Sequence, residues 1–162
     1  MHSTIYELST APVPKQRRMQ AGNLPDWFCF GICDYAEDIP TEAGRQYCIN
    51  ELMQRFHGLC TAENDRLSFL PEFRGRYFRK KYRYFRSALN ALTKTDYQMF
   101  SGSIPAPAFH AAMRGITESY DDAHDIYIYY TNTGELHTLD SWLRETDLST
   151  PFYVGGVIDY HY

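Results

Sequence analysis

The residues best suited to chemistry in this chain are its four cysteines, a few histidines and one knot of acids. Cys29 and Cys33 lie four apart and are followed by Cys48 and Cys60, a set that suggests tetrahedral zinc because thiolates are among its preferred ligands. The surrounding pattern argues against it. Trp27 to Cys33 reads as an aromatic-rich strand interrupted by Gly31, and residues four apart in a strand are about 13 Å apart at roughly 3.3 Å rise per residue. Cys48 and Cys60 fall on an apolar helical stripe, where small buried thiols are common. The cysteines therefore read as reduced thiols, and neither metal nor cofactor is expected.

Other constellations are equally thin. His57 and Cys60 supply a base and a nucleophile, but their spacing matches no catalytic signature. Glu118, Asp121, Asp122, His124 and Asp125 make an acidic 118–125 loop that offers donors to a divalent ion. Asp159 and His161 share one face of a terminal strand, a poor place to hold catalytic geometry. No phosphate-cradling glycine loop, nucleophile elbow or metalloprotease helix is present.

Cationic residues carry a stronger pattern. Arg74, Arg76, Arg79, Lys80, Lys81, Arg83, Arg86 and Lys94 are half of the sixteen bases, and no acid lies between Glu72 and Asp96. That segment carries +8, while the remainder, with eight bases against twenty acids, carries −12. Blocks of like charge mark a contact surface or a solvated face. Counting 100° per residue from Phe73, the apolar residues Phe73, Tyr77, Phe78, Tyr84, Phe85, Ala88, Leu89 and Leu92 fall within about 160°. Arg76, Arg79, Arg83 and Arg86 fall opposite in one row, with Lys80 beside them. Arg74 and Lys81 are misfits on the apolar arc, expected to snorkel to its edge. Each like-charge pair at these spacings costs roughly 0.2–0.5 kcal/mol. Phosphate, an acidic protein or the chain's own carboxylates are the candidates to offset that cost. Arginine outnumbers lysine twelve to four, and guanidinium is the better fork for phosphate or carboxylate.

The elements that would position these residues are legible in outline. Ser3 to Ser9 alternate as a first strand. Residues 10–26 form a long irregular loop with Pro12, Pro14, Gly22 and Pro25, and with Lys15, Arg17 and Arg18 as further basic residues. A helix is predicted from Thr41 to His57, a strand from Leu67 to Leu70, a long helix from about Pro71 to Thr93, and another from Pro107 to Tyr120. Asp125 to Tyr130 is strand-forming, a turn follows, and Leu136 to Thr138 returns as its partner. Asp140 is placed to cap a short helix through Arg144. Phe152 to Tyr160 is an apolar strand interrupted by Gly155 and Gly156. The sum is a single α+β domain over residues 1–162, with a mostly antiparallel sheet covered by about three helices on one face.

The longest uncharged stretch, Tyr97 to Met113, contains Gly102, Pro105 and Pro107, so no membrane span is expected. Met1 to Glu7 has no basic start followed by an apolar run, and a cytoplasmic location follows as the expectation. The opening His2-Ser3-Thr4-Ile5-Tyr6-Glu7-Leu8-Ser9-Thr10 and the ending Tyr153-Val154-Gly155-Gly156-Val157-Ile158-Asp159-Tyr160-His161-Tyr162 resemble those of small accessory proteins on bacterial mobile elements. That resemblance implies a setting of regulators, DNA-handling factors and inhibitors of host defence, including anti-CRISPR and anti-restriction proteins.

The leading expectation is a non-enzymatic binding protein that engages nucleic acid or a nucleoprotein complex. Its site would comprise Arg76, Arg79, Lys80, Arg83 and Arg86, with Lys15, Arg17 and Arg18. An acidic protein is the other partner this row fits. Two further expectations are a small metal-dependent hydrolase built on the 118–125 loop and a homodimer with a tyrosine-rich sheet interface.

Overall fold

The computed structural model describes residues 1–162, which form an α+β chain with two compact units. One comprises Met1–Arg74 and Ala123–Tyr162; the other is Gly75–Asp122.

The first unit is built on one mixed sheet. Strand β1 (His2–Ser9) is followed by two 3-10 turns, Lys15–Arg17 and Ala21–Asn23, and by helix α1 (Asp26–Gly31). Strand β2 (Tyr35–Asp38) leads into α2 (Glu42–Arg55), and β3 (Cys60–Glu63) forms a hairpin with β4 (Arg66–Phe69). Helix α3 (Phe73–Leu92) starts in this unit and runs into the other, which also holds α4 (Tyr97–Phe100) and α5 (Pro107–Tyr120). The chain returns through β5 (Tyr127–Tyr130), β6 (Glu135–Thr138), α6 (Leu139–Glu145) and β7 (Phe152–His161). The strand order is β3-β4-β7-β1-β5-β6, with β2 also paired to β7. All pairings are antiparallel except β1 with β5.

Strand β7 is the spine. One edge pairs along β1; the other is shared by β4 at Phe152 and Tyr153 and by β2 from Ile158 to His161. The stretch between them lacks a neighbouring strand, so its polar groups need other partners. Two buried side chains, together with the backbone of Asp65 and Ile39, provide them. Glu7 Oε2 accepts from Gly156 N at 2.6 Å and from Met19 N at 2.8 Å. Arg45 Nη1 donates to Val154 O at 3.1 Å and Gly155 O at 3.3 Å. The same guanidinium binds Glu42 and Asp65, and Arg18 Nη1 reaches Glu42 Oε2 at 2.8 Å.

The glycines that interrupt this strand are therefore required by close approach. A Cβ on Gly155 would lie 2.2 Å from Glu7 Oε2, and one on Gly156 would lie 2.3 Å from Met19 O.

Helices cover both faces of the sheet, where the sequence suggests one. Successive residues of a strand point to opposite faces. Ile5 packs in a cluster with Leu24, Phe28, Tyr127, Ile158 and Tyr160, so α1 and the preceding loop cover that side. Tyr6 faces the other way and donates to Cys48 O of α2 at 2.7 Å. Trp142 of α6 packs edge-on against Phe152, with ring centroids 5.0 Å apart.

Of the sheet tyrosines, Tyr6, Tyr127 and Tyr160 are core residues, whereas Tyr129, Tyr130, Tyr153 and Tyr162 are half-buried and Tyr35 is exposed.

Trp27 to Cys33 is also corrected, from strand to helix. Pro25 and Asp26 suit a helix start, and the aromatics do not alternate across a sheet: Phe28 is fully buried, whereas Trp27 and Phe30 are exposed. Cys60 moves from helix to strand, because the helix before it ends early. His57 and Gly58 take positive φ values of 50° and 76°, the left-handed conformation that terminates helices. Asp140 does not cap α6; Thr138 does, its side chain accepting from Ser141 N. The count of about three helices matches the three longest, α2, α3 and α5, with α1, α4 and α6 as short additions.

Candidate nucleic-acid interface

Helix α3 is twenty residues long and begins at Phe73, two residues after the Pro71 at which the sequence places its start. Phe73 anchors it, buried against Phe56 and Phe69 with ring centroids 5.1 and 4.7 Å away. Arg74 donates to Leu143 O at 2.9 Å and to Thr146 O at 2.5 Å, so this misfit on the apolar arc neutralises the carbonyl end of α6.

From Gly75 onward the helix belongs to the second unit. Tyr77, Phe78, Lys81, Phe85, Ala88, Leu89 and Leu92 are half-buried there. The approach of α5 is close at Gly115, where a Cβ would lie 3.3 Å from Ala88 Cβ. Lys81, the other misfit, sets its ammonium 5.9 Å from the centre of the Tyr77 ring, within cation–π range.

Arg76, Arg79, Lys80, Arg83 and Arg86 are all exposed. Within the Gly75–Asp122 unit, Arg79, Lys80, Arg83 and Arg86 form no ion pair or hydrogen bond through their side chains. The row is flanked by two exposed rings. Tyr82 is 60% and Tyr84 67% exposed. Helical spacing puts Tyr82 beside Arg79 and Arg86 on one side of the row, and Tyr84 beside Lys80 on the other. The helical wheel assigns Tyr84 to the apolar arc and leaves Tyr82 out. Both lie at its margins, and margin positions are those that a single packed neighbour leaves uncovered.

The other basic residues, Lys15, Arg17 and Arg18, belong to the sheet unit. Lys15 and Arg17 are exposed on a 3-10 turn. Arg18 is committed internally, with Glu42 at 2.8 Å and Asp65 at 3.8 Å. Lys15 and Arg18 line a cleft of about 190 Å³ together with Thr41, Glu42 and Arg45. Hydrogen bonds from Arg45 and then Arg18 hold the Glu42 carboxyl down to about 2. Opposite charges already meet at this cleft.

The candidate chemical groups are dispersed. Burial pushes the Cys60 thiol up to about 12 and raises Cys33 and Cys48 as well, the wrong direction for a nucleophile near neutral pH. Cys29 lies in α1 and Cys33 just beyond it, at helical rather than extended spacing, so the distance argument against their sharing an ion does not apply. No three His, Cys, Asp or Glu side chains gather to hold a metal. In the 118–125 loop, Asp125 is bound to Arg55, and the His124 ring lies against Tyr162. Asp159 pairs with His2 at 2.9 Å, and His161 lies 3.5 Å from Asp34, so the Asp159–His161 dyad does not form.

No helix is long and apolar enough to cross a membrane. Comparison with protein-family models, with characterised proteins and with solved structures gives no match.

Proposed function

We propose that this protein is a non-enzymatic binding protein that engages nucleic acid, alone or within a nucleoprotein, through Arg79, Lys80, Arg83 and Arg86, with Arg76 extending the row. The observation that carries this reading is the exposure of Arg79, Lys80, Arg83 and Arg86, which no carboxylate of their own unit neutralises. Phosphate oxygens suit it because guanidinium offers them two parallel hydrogen bonds and because each neutralised phosphate releases counterions. The charge distribution agrees. Gly75–Asp122 carries eight bases against four acids, net +4, and the sheet unit carries eight against sixteen, net −8. A positive unit on an acidic protein directs a polyanion to one place and disfavours indiscriminate coating.

The resemblance of both termini to accessory proteins of bacterial mobile elements supports one specific form: an inhibitor of a host defence nucleoprotein, of anti-CRISPR or anti-restriction type.

Anisotropy titration of labelled oligonucleotides across a salt series tests the reading. The triple variant Arg79→Gln/Arg83→Gln/Arg86→Gln should bind more weakly, and its slope of log affinity against log salt should be shallower by about 2 to 3. Unchanged affinity and slope would sink the proposal.

A further inference from the structure

We infer that the strand this helix takes is single-stranded, with bases unpaired and turned onto Tyr82 and Tyr84. The inference rests on the proposed nucleic-acid reading and narrows it. Its basis is the placement of two large, exposed rings on either margin of the row formed by Arg79, Lys80, Arg83 and Arg86. Arg79 to Arg86 covers about 10 Å of helix axis, enough to follow a short run of one strand's backbone.

A backbone lying on that row has its bases projecting to the sides, where the two rings stand. Every base has a π-face, so such stacking is indifferent to sequence. A duplex leaves the rings without a partner, because its base faces are covered by their neighbours in the stack and its edges alone are open in the grooves. Tyr84 and Tyr82 have no role in the apolar packing of α3 that would account for their size, since both remain mostly exposed.

Three labelled probes of equal length test this: a single-stranded oligothymidylate, a mixed-sequence duplex, and an abasic single strand with the same phosphates and no bases. The wild-type protein should bind oligothymidylate about tenfold or more tightly than the abasic strand, and more tightly than the duplex. Tyr82→Ala/Tyr84→Ala should lose that advantage, a fall of about tenfold or more. Its salt slope and its affinity for the abasic strand should stay unchanged. Tyr82→Phe/Tyr84→Phe, which keeps the π-faces, should retain most of the binding.

Equal wild-type affinity for abasic and base-bearing strands, tighter binding of the duplex, or full oligothymidylate affinity in the alanine variant each overturns the inference. The arginine-to-glutamine variant separates the two proposals. If it loses affinity for all three probes while the tyrosine variant behaves as wild type, the stacking inference fails and the nucleic-acid reading stands. If it binds every probe as wild type does, the nucleic-acid reading itself has failed.

Discussion

Glu7 shows how much one side chain contributes to this fold. It is a buried carboxylate on β1, and it is held there by two backbone N–H groups, one from β7 and one from the loop before α1. The arrangement works only because Gly155 has no side chain in the space the carboxylate occupies. Gly155→Ala should therefore destabilise the protein by about 1–3 kcal/mol, the usual range for overpacking a filled site. Gly31→Ala, where a Cβ meets nothing within 4 Å, should be far milder. Urea denaturation of the two variants makes the comparison. Cys60 gives a second prediction at the same scale. With its thiol raised to about 12 by burial, it should resist iodoacetamide at pH 8 in the native protein and react once urea unfolds the chain. Peptide mapping by mass spectrometry reads the difference.

At the scale of elements, α2 and α3 use arginine in opposite ways. Arg45 of α2 is buried and fully engaged, and with Arg18 it holds Glu42. The Glu42 carboxyl is depressed from 4.5 to about 2 in the folded protein, so between those values the unfolded chain binds more protons. Stability from this carboxylate is fully present above pH 4.5 and is lost as pH falls through 2. Glu42→Gln should flatten the acid limb of a stability–pH profile measured by thermal melting. Arg79, Arg83 and Arg86 of α3 do the reverse: they repel one another in water. Removing Arg79, Arg83 and Arg86 together relieves repulsions of about 0.2–0.5 kcal/mol per pair. The glutamine variant should melt at the same temperature as wild type or slightly above it at low salt, while binding worse. A residue set that weakens stability yet strengthens binding is the pattern expected of a site.

At the scale of the whole molecule, burial is distributed very unevenly. The large fully buried side chains, Trp142, Tyr6, Tyr160, Phe28, Phe56, Phe73 and Phe152, all belong to the sheet unit. In Gly75–Asp122 only Ala106 and Ala112 are buried. Local opening follows buried apolar contact, so amide hydrogen exchange should be slowest in β1 and β7 and markedly faster in α3 and α5. Saturating single-stranded oligonucleotide should slow exchange in α3 and leave β7 unchanged.

Periodicity determined much of this protein from sequence alone. The apolar stripes of α2, α3 and α5, the alternation in β1, and the paired strands around the Thr131–Gly134 turn were legible because each pattern is local and repeats along the chain. The cationic row was legible for the same reason, since a helix converts spacing into a face. What tertiary structure decided were the places where a distant partner sets the outcome. The Trp27 to Cys33 segment is helical because Phe28, Cys29, Ile32 and Cys33 reach one core at helical spacing while Trp27 and Phe30 stay exposed, and β2, with its charged Glu37 and Asp38, is a strand because β7 has an edge to offer it. Arg18 looked like Arg79 in sequence. Folding set Glu42 and Asp65 beside the one and no carboxylate of its own unit beside the other, because charge pairing depends on distance through space, and spacing along a chain does not report it.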